Sequence, residues 1–93
     1  MKRKVFKIEN KYGVHLRPAV KIFEAIKDLR SRVEIKKNDA VADARSTLGI
    51  ILLNITSGDV IEVIADGVDE DLVIEKLTEL IEIRNFDEDK DDS

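Results

Sequence analysis

Arg32-Val33-Glu34-Ile35-Lys36-Lys37-Asn38-Asp39-Ala40-Val41-Ala42-Asp43-Ala44 is the stretch from which the fold is read. Its first five residues alternate charged and apolar side chains strictly, as a half-buried strand does. Asn38-Asp39 is a turn signal, and residues 40–44 return as a second strand of a hairpin. Toward the N-terminus, residues 4–9 form a short strand with Phe6 and Ile8 on one face, and residues 10–13 turn the chain. Between the two lies a helix from Leu16 to about Leu29. Ala19, Ile22, Phe23, Ile26 and Leu29 recur there at helical spacing, and Pro18 falls in the first turn, where a missing N–H costs nothing.

Toward the C-terminus, residues 48–55 are apolar apart from Gly49 and Asn54. Ser46 is a good N-cap ahead of them, so this run reads as a short helix. Ser57-Gly58 turns into a strand over residues 60–65. Asp69 then caps a last helix with an acidic first turn and a buried stripe of Val73, Ile74, Leu77, Leu80 and Ile81. The pattern stops after Arg84, which gives a domain over residues 1–86 and an acidic, disordered tail over 87–93. The order is βαββαβα, an α+β domain with an antiparallel sheet and three helices on one face. A right-handed crossover from strand 1 to strand 2 leaves a gap that strand 4 fills.

Composition removes whole classes of chemistry. The chain has 93 residues, enough for one core, with 43% hydrophobic and 39% charged residues. Without cysteine there is no disulfide, thiolate zinc site or cysteine nucleophile, and the single His15 excludes a two-histidine metal site. The isolated glycines form neither a P-loop nor a dinucleotide fingerprint. No apolar run is long enough to cross a bilayer and no signal-peptide pattern opens the chain, so a soluble cytoplasmic protein is expected, without membrane insertion. The charge is lopsided. Residues 1–46 carry 13 Lys and Arg against 6 Asp and Glu, and residues 47–93 carry 3 against 14. A basic first half suits an acidic protein partner, and with no interleaved aromatics it does not suit stacking on nucleic acid.

Gly13-Val14-His15-Leu16-Arg17-Pro18-Ala19 is where chemistry concentrates. It places a histidine at a helix N-terminus, where unpaired N–H groups and the helix dipole attract an anion. The same dipole disfavours imidazolium, which favours the neutral, nucleophilic ring. Arg17 can add charge-assisted hydrogen bonds to a phosphoryl group. The plain alternative is an exposed histidine beside an ordinary surface arginine.

This segment resembles the active-site motif of HPr, the histidine-containing phosphocarrier of the bacterial phosphoenolpyruvate-dependent sugar phosphotransferase system. The likeness extends to Phe6-Lys7-Ile8, to Asn10-Lys11-Tyr12-Gly13 and to Ala44-Arg45-Ser46-Thr47-Leu48-Gly49, and ends before the acidic tail. It implies an open-faced β-sandwich with strand order 1-4-2-3. It also implies a monomeric carrier that needs no cofactor or metal and has no turnover reaction of its own. By this resemblance His15 takes the phosphoryl group on Nδ1 from enzyme I and passes it to enzyme IIA domains, while Arg17 neutralises the phosphoryl oxygens. Leu48 and Ile51 match exposed, partner-contacting positions, and Ile50 and Leu53 would point into the core.

Ser46 matches a serine that HPr kinase/phosphorylase modifies in many members, which links them to a catabolite-control transcription factor. Gly49 stands where regulated members have it, whereas Thr47 and Leu48 replace the more frequent isoleucine and methionine. Two alternatives accompany this reading. One is a mainly regulatory paralogue, of the nitrogen-related branch or catabolite control. The other is a small α+β module that binds protein or RNA without phosphoryl chemistry.

Overall fold

The computed structural model describes residues 1–88. Its order is β1 (Lys2–Lys7), α1 (Leu16–Ile26), β2 (Arg32–Lys37), β3 (Ala40–Asp43), α2 (Thr47–Leu52), β4 (Val60–Asp66) and α3 (Glu70–Thr78). Helix α3 runs on as a wider turn over Glu79–Ile83, and a short turn over Asn85–Asp87 follows. The four strands form one antiparallel sheet in the order β1-β4-β2-β3, with β4 in the gap between β1 and β2. This is the open-faced sandwich expected.

Alternation sets which face is buried. Phe6 of β1 lies opposite Ile61 of β4, and Ile35 of β2 lies opposite Val63. All four point inward with 0–1% exposure. Val5, Val41 and Val60 stand on the open face. Ala19, Ile22 and Ile26 of α1 and Val73 and Leu77 of α3 close the core from the helical side. A row of such residues, each contributing about 1.5–3 kcal/mol by leaving water, is what fixes the register.

Helix α1 ends at Ile26, three residues before the periodicity suggests. The reason is a distant side chain. Arg45 donates from Nη2 to the carbonyl of Ile26, the last residue of α1, and to that of Leu29, and from Nη1 to that of Ser31, so it holds both the helix end and the non-helical segment that follows. At the other end of the chain, the first two residues of the expected tail fall within the described residues. Asp87 and Glu88 are held by side-chain contacts, Asp87 to Arg84 and Glu88 to the loop at residues 10–12. The rest of that expectation, residues 89–93, lies outside the described residues. Among the described residues no helix is long and apolar enough to cross a membrane, and no cluster of His, Cys, Asp and Glu could hold a metal ion.

Candidate functional site

The loop before α1 is fixed first. Gly13 has φ +69°, and a Cβ there would sit 2.5 Å from the Ile55 carbonyl oxygen and 2.8 Å from Thr56 Cα. Only glycine fits both the backbone and the space. Asn10, fully buried, donates from Nδ2 to the Gly13 carbonyl at 2.7 Å, and the Val14 N–H donates to the Ile55 carbonyl at 3.0 Å. Val14 is buried at 4% exposure and anchors the chain immediately ahead of His15.

His15 is the N-cap of α1. Its backbone is extended, with φ −98° and ψ −157°, and its carbonyl accepts from the Ala19 N–H at 3.0 Å. The imidazole makes no capping hydrogen bond, so the ring is not used to hold the helix. It meets Tyr12 edge to face, with centroids 6.4 Å apart at 81°. With Pro18 buried in the first turn and carrying no N–H, the N-terminal donors are those of Leu16 and Arg17. Tyr12, His15, Leu16, Arg17, Pro18, Phe86 and Glu88 line a cleft of about 320 Å³. His15 and Arg17 are both exposed on it.

Phe86 and Glu88 are the two members the sequence did not announce. Burial pushes the Glu88 carboxyl up. Hydrogen bonds from Asn10 Nδ2 and from the N–H groups of Tyr12 and Lys11, with the nearby His15, outweigh it and hold the group below the usual glutamate range.

Ser46 and the residues after it form a second cluster. Ser46 caps α2, and its Oγ accepts from the Gly49 N–H at 3.0 Å. A side chain at Gly49 would crowd that contact, since its Cβ would lie 3.0 Å from Ser46 Oγ and 3.2 Å from Ser46 Cβ. Leu48 is 66% exposed, as the resemblance implied, and Ile50 and Leu53 are buried. Ile51 is instead half-buried and packs against the core. The exposed partner of Leu48 is Leu52, at 73% exposure, one helical turn further on. Leu16, at the start of α1, is 60% exposed. The i, i+4 spacing of Leu48 and Leu52 was the available signal for that face.

Residues 2–83 match the sequence model of the family described as the PTS HPr component phosphorylation site. The chain belongs to the HPr family. It is similar to the phosphocarrier protein HPr of Neisseria meningitidis serogroup A, with 35% identity over 81 residues, 87% of this chain and 91% of the relative. The phosphocarrier protein NPr of Proteus mirabilis is likewise 35% identical, over 83 residues that cover 88% of this chain and 91% of that one. Among solved structures, HPr-C-His from Thermoanaerobacter tengcongensis superposes with a TM-score of 0.87. It has 34% identity and covers 92% of this chain and 96% of that one. HPr proteins are phosphocarriers of the phosphotransferase system, relaying a phosphoryl group rather than turning over a substrate of their own.

Proposed function

We propose that this chain accepts a phosphoryl group on His15 from enzyme I and passes it to enzyme IIA domains. The observation that carries the reading is the state of His15: an N-cap residue whose ring is exempt from capping and open to a cleft that Arg17 shares. In the transfer an imidazole nitrogen forms a bond to phosphorus, the bond from phosphorus to the donor breaks, and its electron pair stays with the donor. Arg17 and the first-turn N–H groups lower the charge on the phosphoryl oxygens as this occurs. Leu48, Leu52 and Leu16 offer the exposed apolar surface against which a partner docks, and Gly49 shapes the start of α2 beneath it. Incubation with enzyme I and labelled phosphoenolpyruvate should give an acid-labile label on the wild type and none on His15→Ala. Acid-stable label, or label on the alanine variant, refutes the assignment.

Equal likeness to HPr and NPr relatives makes the nitrogen-related branch a second reading. The two are separated by which enzyme I, that of the sugar branch or that of the nitrogen branch, phosphorylates His15 faster.

Ser46 is the proposed brake, modified by an HPr kinase/phosphorylase and read by a catabolite-control transcription factor. Its exposed hydroxyl supports this. Phosphate would add about −1.5 to −2 charges at the start of α2. Arg45, whose donors lie on three backbone carbonyls of residues 26–31, is already committed as a structural cap and would not be recruited to that phosphate. The charge would act on docking, slowing phosphorylation of His15 by enzyme I while leaving the melting temperature nearly unchanged. Equal rates for phosphorylated and unmodified protein at low and moderate salt would leave Ser46 as a helix cap alone.

A further inference from the structure

The chain folds one of its own carboxylates back onto the site. After Arg84, residues Asn85, Phe86 and Asp87 take φ values of +50°, +58° and +54° in succession. That region is unfavourable for L-residues and most of all for a bulky one. The reversal is held by burial of Phe86 to 1% exposure, by Lys21 Nζ donating to the Phe86 carbonyl at 2.7 Å, and by the Arg84–Asp87 pair. Its result is the placement of Glu88. The Glu88 carboxylate accepts from the Lys11 N–H at 2.6 Å, from Asn10 Nδ2 at 2.9 Å and from the Tyr12 N–H at 3.1 Å. Consecutive N–H groups turned toward one anion make an anion-binding nest, and here they take the two oxygens of one carboxylate. Here the nest holds a side chain of the protein itself, on the wall of the cleft that His15 and Arg17 line.

We propose that Glu88 raises the phosphoryl-transfer potential of His15 by holding a fixed negative charge in the cleft that the phosphoryl group must share. The inference rests on His15 being the acceptor. In the unphosphorylated protein the carboxylate is satisfied by three donors, so its charge costs that state little. A phosphoryl group brings about −1.5 to −2 charges into the same cleft. Glu88 is tethered by the nest and by Phe86 and cannot retreat without losing those contacts, so repulsion falls on the phosphorylated form alone. Glu88 touches no reacting atom. It acts through the field in the cleft and by positioning the loop ahead of His15.

The test is an equilibrium. The full chain, Glu88→Gln and Glu88→Ala are each brought to equilibrium with catalytic enzyme I at a fixed ratio of phosphoenolpyruvate to pyruvate, and the phosphorylated fraction is read from acid-labile label. Enzyme I is regenerated, so the final ratio does not depend on docking. Both variants should shift toward the phosphorylated form by about 3- to 10-fold. The gap to wild type should narrow as salt rises from about 0.05 to about 1 M. An unshifted Gln variant, a shift confined to Ala, or a shift indifferent to salt overturns the proposal and leaves Glu88 as a structural clasp. A wild-type chain that takes no label at all overturns the acceptor reading and this inference with it.

Discussion

Gly13→Ala tests whether the site loop is held by close backbone contact. Two costs can be separated. The first is conformational: at φ +69° an alanine occupies the left-handed region, about 1–2 kcal/mol above its preferred basins. The second is steric. A Cβ 2.5 Å from the Ile55 oxygen and 2.8 Å from Thr56 Cα cannot be absorbed by a flexible side chain, because both neighbours are backbone. The loop must move off residues 55 and 56, which loosens the Val14–Ile55 hydrogen bond, worth about 1 kcal/mol net, and the Asn10–Gly13 bond of similar worth. The expected loss is about 3 kcal/mol, which for a domain of this size lowers the melting temperature by about 15 °C.

Gly58→Ala is the matched control. Gly58 has φ +93°, yet nothing lies within 4 Å of the position a Cβ would take, so only the conformational cost applies. Urea unfolding of the three proteins should therefore rank wild type, Gly58→Ala and Gly13→Ala, with the last two about 2 kcal/mol apart. The Gly13 variant should also lose phosphoryl acceptance at temperatures where it stays folded, since His15 follows the displaced loop by two residues. Equal losses for the two glycine variants would refute the packing argument.

Other predictions follow from separate contacts. Asp69 accepts from Ser31 Oγ and from the N–H groups of Arg30 and Ser31, which lower its pKa from 3.8 to about 2. Its folded value lies below its unfolded one, so its contribution is full above about pH 4 and is lost as pH falls toward 2. Asp69→Asn should flatten the acid limb of the urea midpoint against pH, and an unchanged limb would reject that assignment. Leu48→Ala and Leu52→Ala should change stability by less than about 0.5 kcal/mol, because both side chains are already in water. Transfer from enzyme I should nevertheless slow several-fold, and unchanged transfer kinetics would remove this face from docking. Truncation after Glu88 should leave phosphorylation kinetics intact, whereas truncation after Phe86 removes the carboxylate from the nest and should shift the transfer equilibrium as Glu88→Gln does. Identical equilibria for the two truncations would contradict the role given to Glu88.

The sheet was legible because its signals are local. Strict alternation over residues 32–36 and a run rich in Val and Ile after the Ser57-Gly58 turn need no knowledge of the partner strand, and the short link at Asn38-Asp39 forces antiparallel pairing. His15 was legible for the same reason, since a helix start is marked by the residues around it. The misses share a different cause. Leu29 fits the helical period of α1, but the helix ends at Ile26, where Arg45, distant in sequence, donates to the Ile26 carbonyl and also holds the non-helical carbonyl of Leu29. In α2 an almost wholly apolar run hides which residues face out; the resemblance implied an exposed Ile51, whereas Ile51 is half-buried against the core and Leu52 is exposed. Phe86 and Glu88 were missed because a run of acidic residues reads as solvated, and only the three-dimensional arrival of the chain at residues 10–12 supplies the donors that hold a carboxylate.

The same contrast alters what the charge asymmetry means. The basic excess of residues 1–46 suggested a surface for an acidic partner, yet much of it is engaged within the fold. Arg45 caps α1, Lys37 bonds the Asn54 carbonyl and pairs with Asp59, Lys4 reaches Thr78 and Glu82, and Arg3 reaches Glu62. Arg45 thereby holds backbone of its own half, and the other three reach backbone or side chains of the second half. Net charge by segment therefore measures how the two halves hold each other as much as what they present. At the cleft, Arg17 and Glu88 both line the wall, and on the proposed reading one would attract a phosphoryl group on His15 and the other repel it. Such a balance would suit a carrier, because a site that only attracted the phosphoryl group would bind it too firmly to pass it on.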